Sequence, residues 1–203
     1  MTAQSKTATA TAERVDEVTT ARPMRADARR NYELLVTAAR KVFDQEGGGA
    51  SMEAIAKEAG VGIGTLYRHF PKRIDVVEAV YVDDVDELET VARTVSSDLE
   101  PWPAFVTWLE AFVRYAMGKK RFMNELHEAF EKDPALHSAS RERIEGALGI
   151  VLTRAQEAGV VRTDVDASDV MQLIGSMCMS ATLTTDQSER LLVMIEDGLR
   201  PQR

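Results

Sequence analysis

Apolar residues recur at intervals of three and four along nearly the whole chain, and no other feature limits its fold so strongly. Tyr32, Leu35, Val36, Ala39, Val42 and Phe43 fall on one face of a 3.6-residue helix. The same spacing returns in Trp102, Phe105, Leu109, Phe112 and Ala116, then in Phe122, Met123, Leu126 and Phe130. It continues in Ile144, Leu148, Val151, Leu152 and Ala155, in Val170, Leu173, Ile174, Met177 and Ala181, and in Leu191, Leu192, Ile195 and Leu199. Helix-breaking signals separate the stripes: Gly47-Gly48-Gly49, Gly60-Val61-Gly62, Pro71, Pro101, Asp133-Pro134 and Gly159. No segment alternates with period two between hairpin turns. The pattern predicts an all-α chain of about nine helices.

The chain has 203 residues, enough to bury a core without a metal or disulfide staple. One cysteine, Cys178, rules out an intrachain disulfide and a cysteine-rich zinc site. No apolar run approaches the ~18 residues of a membrane span, and the N-terminus has no apolar signal core. A soluble cytoplasmic protein is expected. Residues 1–21 carry six Thr and five Ala with little that is large and apolar, a composition expected to stay a disordered tail. Net charge is −8, which argues against a chain that coats nucleic acid unselectively. The charge is uneven: Arg22–Arg73 is net +4 and Ile74–Arg203 net −11. A basic segment on an acidic body fits a small nucleic-acid-reading module, or chance clustering.

Within the basic segment, Ser51 is placed to cap a short helix bearing Met52, Ile55 and Ala56, and Gly60-Val61-Gly62 makes a tight turn into another over about 63–70. Two short helices joined by a glycine turn and packed on a longer first helix describe a helix-turn-helix. Val61, Leu66 and Phe70 would anchor the third helix. Its other face presents Ile63, Gly64, Thr65, Tyr67, Arg68 and His69, and Lys72 follows. Hydroxyls, cations and glycines approach phosphates and base edges. The plainer alternative is a three-helix subdomain whose polar face meets only water.

The stretch LVTAARKVFDQEGGGASMEAIAKEAGVGIGTLYRHFPKR, from Leu35, resembles the N-terminal domain of TetR-family bacterial transcription regulators, and AGVGIGTLYRHFPK is its most specific part. The resemblance implies a homodimer whose third helices enter adjacent major grooves of an operator, with C-terminal helices that bind a small effector and form the dimer. It places Thr65, Tyr67 and His69 at backbone or base contacts, and Ser51 and Lys72 at backbone contacts. Ile63, Gly64 and Arg68 fall at variable positions that select the operator, and Arg25 lies on an arginine-bearing arm. Gly62 stands where many members have Ser or Thr, so one side-chain phosphate contact is missing. The implied division is 22–71 for DNA binding and 72–203 for effector binding and dimerisation.

Trp102, Phe105, Trp108, Phe112, Tyr115, Phe122, Met123, Leu126, Phe130, Leu152, Met171, Met177 and Cys178 fit either a core or the walls of an adaptable pocket. The resemblance tips them toward a pocket, and the few cations among them, Arg114 and Arg121 being nearest in sequence, point to an apolar or flat aromatic effector. Val170, Ile174, Ala181, Leu191, Ile195 and Leu199 are the expected dimer face. Metal and cofactor sites are not expected: the residues three before His69, His127 and His137 are Leu66, Asn124 and Pro134, so no Glu-x-x-His pair exists. Gly60-Val-Gly-Ile-Gly64 lacks a preceding strand and is no dinucleotide fingerprint. The sequence reading is therefore a ligand-responsive dimeric repressor. Its rivals are a helical small-molecule enzyme, for which no catalytic constellation stands out, and an activator without a small ligand.

Overall fold

The structure is a computed structural model describing residues 5–201, with side chains described from residue 26 onward except at positions 48 and 121. Among the described residues it contains nine α-helices: α1 (Ser5–Glu46), α2 (Met52–Glu58), α3 (Ile63–His69), α4 (Arg73–Asp98), α5 (Pro101–Lys119), α6 (Met123–Lys132), α7 (Pro134–Glu157), α8 (Ala167–Cys178) and α9 (Thr185–Leu199). Two 3-10 turns, Gly47–Gly49 and Lys120–Phe122, complete it. None of these helices is long and apolar enough to cross a membrane.

The local chemistry explains the breaks. Ser51 Oγ accepts from the Ala54 N–H at 3.0 Å and starts α2. Gly60 ends it at φ +67°, with its own N–H on the Lys57 carbonyl and that of Val61 on the Ala56 carbonyl. This left-handed C-terminal cap admits glycine with little strain. Pro101 and Pro134 occupy first turns, where a missing N–H costs nothing. Asp166 and Asp169 cap α8 reciprocally at 2.9 and 3.1 Å.

The periodic stripes lie mostly where expected, with two differences. α1 runs back to Ser5, so residues 5–21, expected as a disordered tail, are helical here. Their alanines favour a helix, a preference that a reading based on burial alone overlooks. α8 ends at Cys178, so Ala181 lies in the α8–α9 connection. The Ser180–Thr185 stretch is rich in residues that compete for backbone hydrogen bonds.

α4 is the central pillar, packed against α1, α5, α6 and α7. α2 and α3 pack together, and α2 rests on α1. Leu35, Phe43, Ile55, Leu66 and Phe70 close the small N-terminal core, which is continuous with that of the body. In the body, Trp108 is wholly buried and donates Nε1–H to the Leu88 carbonyl at 3.1 Å, tying α5 to α4. α9 returns to α5, where the Arg200 guanidinium lies 3.4 Å from the Trp102 ring centroid.

Candidate nucleic-acid interface and effector cavity

α3 divides into two faces. Leu66 is fully buried and Phe70 nearly so, which seats the helix. Ile63, Gly64, Tyr67 and Arg68 are exposed, with Tyr67 at 45% exposure. Thr65 and His69 are half-buried. Tyr32 of α1 explains His69: its ring centroid lies 6.4 Å from the imidazole and 5.3 Å from Phe70. Gly62 caps α3 in extended conformation without a side-chain bond, and its carbonyl accepts from the Thr65 and Leu66 amides. Ser51 is exposed at the start of α2, and Lys72 at the start of α4, where its N–H donates to Asp75 at 2.8 Å. Arg68 and Lys72 form no ion pair among the described residues. The expected contact residues thus gather at the α2, α3 and α4 starts and along one side of α3. The exception is Arg25, whose side chain lies outside the described residues.

Two ionic joints tie this unit to the body. Arg40 of α1 bonds Asp84 at 2.6 Å and Asp83 at 2.7 Å on α4, with Glu87 at 3.4 Å. Burial opposes the Arg40 charge, but the three carboxylates outweigh it and raise its pKa. Burial pushes Asp84 up to about 6, because Arg40 only partly offsets it. Arg73 is the second joint. Its guanidinium lies over Phe43 at 5.2 Å, bonds Glu125 of α6 at 3.1 Å and donates to the Ala50 carbonyl. Sequence reasoning missed both joints, whose partners stand more than 40 positions apart.

The body holds a cavity of about 320 Å³ between α4, α5, α7 and α8. Tyr81, Phe112, Tyr115, Ile144 and Met171 form its apolar walls, while Lys119, His137 and Arg141 bring cations or an imidazole. Gln172, Gly175, Ser176 and Met179 line the α8 side. Of the residues expected to form a pocket, Phe112, Tyr115 and Met171 are here. Phe105, Trp108, Phe122, Leu126, Leu152 and Cys178 fill the interior instead. Trp108 stacks on Phe112 at 5.5 Å, which closes that region. Met123, Phe130 and Met177 are half-buried, and Phe130 meets the His137 ring at 4.6 Å. Trp102 lies under Arg200. A second, smaller cavity of about 210 Å³ shares Tyr115 and reaches Arg40, Asp84 and Arg114. Tyr115 therefore stands between the first cavity and the α1–α4 joint.

The residues expected at a dimer face separate. Val170, Ile174 and Leu199 point into the core, Leu191 and Ile195 are half-buried, and Ala181 is exposed in its loop. Other apolar side chains of α8 and α9 are open to solvent: Leu173 is 52% exposed, Val193 55% and Met194 67%.

Two family models match the chain. Bacterial regulatory proteins of the TetR family cover residues 35–80, and the C-terminal domain of SbtR-like transcriptional regulators covers 100–201. The chain belongs to the TetR family of bacterial transcriptional regulators. The TetR regulator SCO0520 from Streptomyces coelicolor is 34% identical, with 85% of this chain and 99% of that one aligned at a TM-score of 0.75. A TetR regulatory protein from Mycobacterium vanbaalenii is 35% identical over 88% of this chain and 100% of its own, TM-score 0.72. An HTH-type transcriptional regulator of Staphylococcus aureus is 42% identical over 76 residues, 37% of this chain and 41% of that protein. The match thus spans less than half the length of that curated relative. The S. aureus match adds a third transcriptional regulator to the likeness. Membership in a family of DNA-binding regulators sets aside the helical-enzyme reading.

Proposed function

We propose that this TetR-family chain is a cytoplasmic, dimeric repressor that holds a pseudo-palindromic operator and releases it when a small effector occupies the α4–α5–α7–α8 cavity. The carrying observation is the two-sided α3: a buried Leu66 face fixes the helix, while Tyr67, Arg68, Ile63 and Gly64 are presented outward beside Lys72. Such a helix supplies base contacts, and the Ser51 and Lys72 positions supply phosphate contacts that set its register. We place the DNA-reading unit at 22–71, with Arg25 on its arm, and the effector and dimer unit at 72–203.

One such unit buries too little surface for a specific site, so two are required. The open apolar strip of Leu173, Val193 and Met194 supports α8 and α9 as the two-fold interface. This shifts the expected dimer contacts from the inward Val170–Ile174 face to the outward one. The effector acts by population shift. Tyr81 and Asp84 are one turn apart on α4, so a ligand against Tyr81 and Tyr115 biases the helix that carries the Arg40 joint. The effector has a body fit for aromatic and apolar walls.

Light scattering of the protein alone and with a bound duplex tests this reading. Two protomers per site are expected. A monomer that binds DNA with full affinity overturns it.

A further inference from the structure

We infer that the cavity between α4, α5, α7 and α8 takes a small organic anion, a carboxylate on an aromatic or short acyl body, rather than a neutral apolar molecule. The inference rests on the effector reading above and names its ligand class.

The cavity is lined by Lys119, Arg141 and His137 and by no acidic side chain. This is unusual in a chain of 33 acidic and 25 basic residues. Elsewhere Arg40, Arg73, Arg143 and Arg162 are each held by a carboxylate. Lys119 is half-buried and, among the described residues, has no carboxylate partner; its Nζ lies 5.2 Å from the Tyr115 ring centroid, with the Cys178 thiol nearby. A desolvated ammonium beside a ring and a thiol lacks the counter-charge that burial calls for. Burial accordingly holds its pKa below the ordinary lysine value. Among the described residues Arg141 reaches only Ser168 Oγ, at 3.5 Å, and so keeps donors for a ligand at the cavity rim. The Tyr115 hydroxyl is buried beside Tyr81 without a well-formed hydrogen bond; burial, then Tyr81, raises its pKa. A buried hydroxyl without a well-formed bond is costly and suits a further polar partner.

The three features suit one ligand. A carboxylate accepts from Lys119 and Arg141, and a flat or short apolar body lies against Tyr81, Phe112 and Met171. The volume, about 320 Å³, stands at the small end of ligand sites and suits a small ligand better than a long acyl chain or a nucleotide.

Calorimetry on the full chain tests this with benzoate, phenylacetate and hexanoate against the matching neutral amides. At least one acid is expected to bind with Kd below about 1 mM, and its amide about tenfold more weakly or worse. Lys119→Met and Arg141→Gln should each remove most of that preference, with the thermal melt by circular dichroism checking the fold. Arg141 is exposed, so its variant remains informative if the Lys119 variant unfolds. Amides that bind as tightly as their acids overturn the inference, as does the absence of binding by all three acids. DNA binding by the unliganded protein is measured separately. Its loss overturns the regulator reading, whereas intact DNA binding released by a neutral ligand overturns only the anion.

Discussion

Asp84→Asn tests the joint between the DNA-reading unit and the body. Asp84 is 18% exposed and bonds Arg40 at 2.6 Å, yet burial still raises its pKa from 3.8 to about 6. A carboxyl with a raised folded pKa binds more protons in the native state than in the unfolded state. Its ionisation therefore removes stability as pH rises from the unfolded pKa through the folded one, and the loss is complete above both. Two units of displacement correspond to about 3 kcal/mol across that window. Between about pH 4.5 and about pH 7.5 the difference is about 2 kcal/mol. Asparagine keeps the shape and an oxygen for Arg40 but cannot ionise, and Arg40 retains Asp83 and Glu87. Asp84→Asn should thus gain about 2 kcal/mol on wild type as pH rises over that interval. Urea unfolding at fixed protein concentration at both pH values measures it. A variant that loses ground on wild type as pH rises refutes the reasoning, because Arg40 would then fully offset the burial of Asp84.

Other outcomes follow from the same geometry. Tyr67→Ala should weaken operator binding by about 1–3 kcal/mol with the melt unchanged, because the ring is exposed; fluorescence anisotropy at fixed salt checks it. Lys72→Ala should lower the salt dependence of binding by about one unit of slope, read from an anisotropy series in salt. Met194→Asp should convert the dimer to monomer by light scattering and weaken DNA binding with it, since an unpaired charge would enter an apolar interface. Trp108→Phe should cost about 1–3 kcal/mol in urea unfolding by leaving the buried Leu88 carbonyl without its donor.

The helix-turn-helix was legible because its signals are local. Ser51 caps, Gly60 turns, and Leu66 with Phe70 anchors, all within twenty residues of chain. The outward apolar side chains of α8 and α9, proposed above as the two-fold interface, were not legible in the same way. A helix can carry two apolar faces, and periodicity cannot say which one meets the core. Val170 and Ile174 turned inward, whereas Leu173, Val193 and Met194 stayed outside. The cavity was half legible. Aromatic stripes mark packing strength, so Phe105 and Trp108 went to the interior. The cavity formed further along α5, where Lys119 lines it together with His137 and Arg141 from α7. That convergence depends on how two helices pack, and no spacing within either records it. Arg40 with Asp84 and Arg73 with Glu125 were hidden for the same reason.

The central claim is that two copies of α3 read DNA from a two-fold dimer. Selecting bound sites from a pool of random duplexes with the purified chain tests it most directly. An inverted repeat with half-site centres about one helical turn, ~34 Å, apart is predicted, and Tyr67→Ala should lose the enrichment. A selected pool without any repeat, or one that Tyr67→Ala enriches as strongly, would contradict the account.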